Sequence, residues 1–160
     1  MFPFLLVFFL SMLPISEIRG AIPIGFFYYH LSLWKVFFVA LLGNILTTLI
    51  LLLFLKRISL FLKRQKNFLR NFWDLLLNHY YLKHKKTIKS LGAVALVIFV
   101  AIPLPFTGAW SGSLIAFIFN LSFKKSFFLI SIGIILAGIL VSLGCLGLIE
   151  INKASGLFNP

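Results

Sequence analysis

Acidic residues are almost missing from this chain: Asp and Glu number three, against fifteen Lys and Arg. Catalysis by paired carboxylates needs two acids flanking one bond. Asp74 and Glu150 lie outside the apolar core, which leaves Glu17 without an acidic partner. Cysteine is scarcer still. Cys145 stands alone, so no intrachain disulfide can form and the redox compartment is not legible. His30, His79 and His84 show no metal-ligand spacing. A P-loop, a dinucleotide fingerprint and a nucleophile elbow are all lacking. The chain is therefore expected to be no enzyme, with no catalytic residue, metal or cofactor.

Charge of either sign is thin, at 11% of 160 residues, where soluble domains carry roughly 25%. Hydrophobic residues make up 61%, and mean hydropathy is +1.10. Such a chain cannot coat a water-facing surface, and it reads as an integral membrane protein. Its net charge of +12 is concentrated: ten of the fifteen basic residues fall between Lys56 and Lys89. That is the positive-inside bias of a cytoplasmic loop, so nucleic acid is not an expected partner. Within this connector Phe61, Phe68, Phe72, Leu75, Leu76 and His79 recur at helical spacing. Lys63, Arg64, Lys66 and Arg70 lie mostly off that stripe. Two readings stay open. One is a cationic amphipathic helix on the anionic lipids of the inner leaflet; the other is a solvated helix packed on its own bundle. The N-terminal apolar run has no basic residue before Arg19, which makes it a poor signal peptide and one expected to stay in the mature chain.

Crossing a hydrocarbon core takes about 20 apolar residues. Val36–Leu55 and Phe127–Ile149 qualify and carry no charge. Four shorter pieces, Phe2–Leu13, Ile22–Trp34, Leu91–Ile102 and Trp110–Phe123, flank two breaks, "PISEIRGA" and "PLPFTG". Each piece is too short to cross, so each pair reads as a re-entrant hairpin. "LSLWKVFFVALLGNIL" (31–46) and "LSFKKSFFLISIGIIL" (121–136) agree at eight of sixteen positions. With one gap, Leu13-Pro14 falls opposite Ile102-Pro103. With the connector inside the cell, Lys124 and Lys125 return inside and Glu150 and Lys153 end outside. The halves are then oppositely oriented, an inverted repeat of the transporter kind. A single kinked span across "PLPFTG" is the competing parse, and it would strand Lys124-Lys125 outside against the charge rule.

The expected fold is thus an all-α membrane protein with two full transmembrane helices, two opposed re-entrant hairpins and a basic cytoplasmic segment. Residues 1–160 form one membrane domain, made of a first repeat (1–55), the connector (56–90) and a second repeat (91–150). A homodimer would suit so small a bundle.

Two constellations could carry chemistry. A charge at membrane depth costs about 2.5–3.5 kcal/mol on insertion scales and needs a partner or a wet cavity. Glu17 and Arg19 could meet in a turn unwound at Gly20, with "AIPIG" restarting a helix and Pro23 in its first turn. They would serve as a proton- or substrate-binding pair; alternatively Ser16 or Glu17 merely caps the next helix at the outer interface. In "IPLPFTGAWSG", Pro103 and Pro105 free the carbonyls of Phe99 and Ala101 from helical bonding. Thr107, Gly108, Trp110 and Ser111 then open a half-helix whose first amides favour an anion. Ser16, Gly20, Pro23, Pro103, Pro105, Thr107, Gly108, Trp110 and Ser111 are the expected lining of a shared polar cavity; a purely architectural proline kink is the alternative. Gly133, Ala137, Gly138 and Ser142 read as helix packing. Asn44, Thr47 and Thr48 could face the cavity or bond between helices.

The two blocks together, "LPISEIRGAIPIG" and "AIPLPFTGAWSGSLIA", resemble the small multidrug export protein family of bacteria and archaea. The shared residues are Pro14, Glu17, Arg19, Gly20 and Pro23, then Pro103, Leu104, Pro105, Thr107, Gly108 and Trp110. The chain is also distantly similar to the DedA (SNARE-associated, VTT-domain) membrane proteins. That likeness implies two re-entrant hairpins and transport or lipid translocation. The DedA pattern has further acidic and arginine positions in its hairpins, whereas no charge occurs here from Leu91 to Phe123. Together the resemblances imply a multi-pass export protein of the bacterial or archaeal cell membrane. With the carboxylate of Glu17 at membrane depth, the leading expectation is a small transporter of small compounds, coupled to protons through Glu17. A lipid flippase or scramblase and a non-transporting scaffold are the alternative functions.

Overall fold

The computed structural model describes residues 2–64, 85–104, 107–119 and 121–155. Among them the regular structure is helical, without a strand: α1 (Phe2–Met12), α2 (Glu17–Pro23), α3 (Leu33–Arg64), α4 (Lys85–Ala101), α5 (Ala109–Ile118) and α6 (Phe123–Ser155). A π-helical turn, Ile24–Tyr28, carries α2 onward. Pro105, Lys66 and Arg70 lie outside the described residues, as does most of the expected amphipathic stripe. Lys63 and Arg64 close the last turn of α3.

Both long helices outrun the spans read from hydropathy, because a helix does not have to end where its apolar stretch does. Leu33–Ile58 (26 residues) and Phe123–Ile151 (29 residues), with mean hydropathy 2.6, are long and apolar enough to cross a membrane. The short apolar pieces are about half as long. At 1.5 Å per residue the 11 residues of α1 reach roughly 16 Å and the 10 of α5 roughly 15 Å, against a core of about 30 Å.

Proline sets the breaks. Helix α1 stops two residues short of Pro14, and α4 stops two short of Pro103, since the residue before a proline is pushed out of helical geometry. Pro23 corrects the expectation that it opens a helix: it is the last residue of α2. Having no amide to offer the carbonyl four residues back, it is followed by a register change. The Tyr29 amide donates to the Ile24 carbonyl at 3.2 Å, the five-residue spacing of a π turn, and the Leu31 amide closes the end by reaching six residues back to Gly25 at 3.1 Å.

Helix α1 lies on α3, α4 lies on α6, and the two long helices lie on each other. The short second helices reach across: α2 also packs on α6, and α5 also packs on α3. Glycine makes both crossings close. A Cβ on Gly43 would strike the Ser11 hydroxyl and come to 2.6 Å from the Phe8 carbonyl of α1. A Cβ on Gly133 would lie 2.6 Å from Cβ of Val100 and 3.1 Å from the Val97 carbonyl of α4. Each glycine stands ten residues into its long helix, roughly 15 Å along it, or half the depth of a hydrocarbon core. The inward face repeats in the same phase. Val36, Ala40, Gly43, Asn44, Thr47 and Thr48 are buried on α3, and the residues ninety later on α6, Ser126, Ile130, Gly133, Ile134, Ala137 and Gly138, are buried too. Farther along, Leu52 and Cys145 are buried without a counterpart.

Outward, Phe9, Phe38, Phe54, Phe128 and Leu143 are each more than half exposed. A ring of exposed aromatic and aliphatic side chains is what lipid, not water, accommodates. The small residues of α6 pack helices as expected: Gly133 faces α4, and Gly138 faces Phe37 and Ile18. Thr47 and Thr48 do not bond between helices. Each hydroxyl donates, at 3.0 Å, to a carbonyl of its own helix, those of Gly43 and Asn44.

Candidate functional site at the meeting of the two breaks

The residues between α1 and α2 meet those between α4 and α5 by direct contact of charge with backbone. Glu17 is the first residue of α2 and is 4% exposed. Its backbone has φ of 45°, a left-handed conformation uncommon for a residue with a side chain. That turn, and not Gly20, bends the chain so that Glu17 Oε2 comes within 3.8 Å of Arg19 Nη1. Gly20 is itself helical and lies against Ser16, where an added Cβ would come to 2.9 Å.

Glu17 reaches the start of α5. Its Oε1 accepts the Trp110 amide at 3.3 Å, with the Ala109 amide also bonded to the carboxylate. These amides have no partner within their own helix, and their partial positive charge suits an anion. Gly108, the N-cap of α5, leaves the space: a Cβ there would fall inside the Glu17 carboxylate. So the half-helix after "PLPFTG" does receive an anion, and the anion is a side chain of the same protein.

Arg19 reaches the other end of the same break. Nη1 donates to the Leu104 carbonyl at 2.5 Å, and Nη2 donates to those of Val100 at 3.1 Å and Thr107 at 2.5 Å. These are not the Phe99 and Ala101 carbonyls that the prolines were expected to release. The difference follows from where α4 ends. The Leu104 amide, which would have bonded Val100 in a continued helix, turns back to Ile102 at 2.8 Å. Val100, the last full turn of α4, is left for the guanidinium. Thr107 locks the loop, its hydroxyl bonding Ile102 at 2.8 Å and Leu104 at 2.9 Å.

The remaining expected residues divide. Trp110 joins the breaks a second time, its indole Nε1 donating at 3.1 Å to Met12, the last carbonyl of α1. Ser16 does not cap α2; its hydroxyl turns back to the Leu10 carbonyl. Ser111 bonds locally to Gly108 at 3.4 Å. Pro23 closes α2 at its far end, and Pro103 is an exposed part of the loop. Sequence reasoning missed Val100, Leu104 and Met12, because they act through carbonyls that every residue has. Asn44, which the sequence offered either for the cavity or for a bond between helices, is 1% exposed, and neither end of its side-chain amide is hydrogen-bonded.

The pairing is tight but incomplete. Glu17 Oε2 and Arg19 Nε are buried without a hydrogen bond. Glu17 and Arg19 are also the sole charged side chains not exposed among those whose burial is described.

A protein-family model described as "Putative small multi-drug export protein" matches residues 17–140, from the start of α2 through the break between α4 and α5 and into α6. None of the curated proteins and none of the solved structures compared with the chain matches it.

Proposed function

Because the chain belongs to the small multi-drug export protein family, we propose that it exports small compounds through the place where the two breaks meet, with Glu17 carrying the coupling proton. The observation behind this reading is the contact just described. Two charged side chains from one half of the chain are bonded by the amides and carbonyls of the break in the other half. Broken helices with their ends turned to charged groups are how transporters hold ions and substrates at membrane depth.

In this reading both breaks are tips of re-entrant hairpins in an inverted repeat. Three features support it: half-length apolar helices, glycine crossings at matching depth, and second helices that exchange partners. The latch of Glu17 and Arg19 then closes the pathway between the tips. Glu17 exchanges the α5 amides for a proton when the tips part, and the Arg19 guanidinium, losing its carbonyls, follows. Residues lining the opened pathway are those of the latch, Thr107, Gly108 and Trp110 first.

The test is flux in proteoliposomes under an imposed pH gradient, with a fluorescent cationic dye as the first probe. Glu17→Gln keeps the hydrogen-bonding shape but cannot exchange a proton. It is expected to insert and purify normally while losing at least ~100-fold of pH-driven flux and its pH dependence, in the range a positioned proton-transfer group contributes. Wild-type flux in Glu17→Gln would remove Glu17 from the mechanism.

A further inference from the structure

We propose that the break between α4 and α5 is a binding site for a zwitterionic small molecule of the amino-acid class, and that Glu17 and Arg19 are its internal surrogate. The proposal rests on the transporter reading and names its substrate class.

The break offers two complementary ends. At one, the carbonyls of Val100, Leu104 and Thr107 converge on a cation, now the Arg19 guanidinium. At the other, the amides at the start of α5 hold an anion, now the Glu17 carboxylate. Gly108 keeps the space for that carboxylate open. Cationic and anionic groups sit 3.8 Å apart, a separation of the order spanned by the ammonium and carboxylate of a small amino acid. A molecule carrying both groups fits both ends at once.

The surrogate fits less well than a free ligand would. Glu17 Oε2 and Arg19 Nε are each buried without a hydrogen bond. Glu17 is held at a φ of 45°, and such conformations persist only where the surroundings impose them. A ligand free of the chain can turn to satisfy every donor and acceptor without that backbone strain. Net charge selects the class. The pair is neutral as a unit, so a neutral zwitterion replaces it without leaving an uncompensated charge at membrane depth. A simple cation would displace Arg19 and leave it unpaired, and a simple anion would do the same to Glu17. The surrogate also moves as one piece, since both residues belong to the seven-residue helix α2.

The experiment is ligand-induced thermal stabilisation of the full-length protein purified in detergent. Alanine, β-alanine and γ-aminobutyrate are the probes; propylamine, propionate and glycine betaine are the controls. Betaine keeps both charges, but its quaternary ammonium has no N–H for the carbonyls. At least one amino acid is expected to raise the unfolding temperature in a saturable way, with the three controls inert at ten times its concentration. A Glu17→Ala/Arg19→Ala double variant removes the internal competitor and should bind that amino acid at least tenfold more tightly. If the double variant does not fold, the wild-type comparison decides alone. Equal stabilisation by propylamine or propionate, no response to any of the three amino acids, or weaker binding by a folded double variant would each overturn the proposal. Failure here is separable from failure of the transporter reading. Dye flux that needs Glu17, without amino-acid binding, sinks the substrate class alone; amino-acid binding without any flux sinks the transporter.

Discussion

Gly108 is where a single atom decides whether the two halves of the chain can meet. Its missing Cβ is the space that the Glu17 carboxylate occupies over the start of α5. Gly108→Ala must therefore push the carboxylate off the Trp110 amide or push α5 off α2. Overpacking of this kind costs about 1–3 kcal/mol, and the displaced charge adds to it. The expected outcome is a lower unfolding temperature and at least a tenfold loss of flux, with Gly144→Ala as the control. Gly144 meets nothing within 4 Å, and replacing an exposed helical glycine by alanine stabilises by roughly 0.5–1 kcal/mol. Unchanged flux in Gly108→Ala would mean that the carboxylate does not need that place. At this scale the sequence was informative about charge and poor about backbone. Glu17 and Arg19 stood out because three acids are all the chain has. That Arg19 would choose Val100, Leu104 and Thr107 was not legible, since it depends on the Leu104 amide turning to Ile102. Nor was the left-handed turn at Glu17 legible, because glycine at 20 drew attention to the wrong residue.

Helix α1 and the apolar part of α4, Gly92–Ala101, are each about half a hydrocarbon core long, and what fixes them is their contact with a full-length neighbour. An 11-residue helix is marginal by itself, so the glycine crossings at Gly43 and Gly133 matter more than the propensity of α1 or α4. Within a bilayer, close backbone approach at small residues is a main source of helix association. Gly43→Ala places a methyl group on the Ser11 hydroxyl, and Gly133→Ala places one 2.6 Å from Val100 Cβ. Both variants are expected to lose about 1–3 kcal/mol of stability, read as earlier unfolding on heating in detergent. If the two halves are equivalent, the two losses should be alike. A neutral result at either position would show that α1 or α4 is not seated by its glycine. The Pro and Gly punctuation made these elements legible, with boundaries within a few residues for α1 and α5. The π turn after Pro23 was hidden, because a register change has no residue signature beyond the proline itself.

Across the whole molecule, the ninety-residue offset that aligns "LSLWK" with "LSFKK" also aligns six buried positions of α3 with six of α6. A sequence repeat made of Phe, Leu and Ile could arise from composition alone. A repeat in burial phase cannot, because it needs the same face of each long helix to turn inward. Orientation is a separate matter, since helices that pack alike can run either way through a bilayer. Charge gives the expectation: the inner side retains Lys and Arg in short loops. Lys56 and Arg57 near the end of the α3 apolar stretch, together with Lys124 and Lys125 at the start of α6, then share one side, with Lys35 opposite. In a Cys145→Ser background, Lys35→Cys should react with an impermeant maleimide on intact cells. Lys124→Cys should react only after the cells are opened, although its neighbour Lys125 is the repeat equivalent of Lys35. Both probe positions are exposed, so access is governed by the membrane and not by burial. Labelling of Lys124→Cys from outside would make α4 and α5 one kinked crossing. The latch would then join a hairpin to a span, and alternating access between two equivalent tips would be untenable.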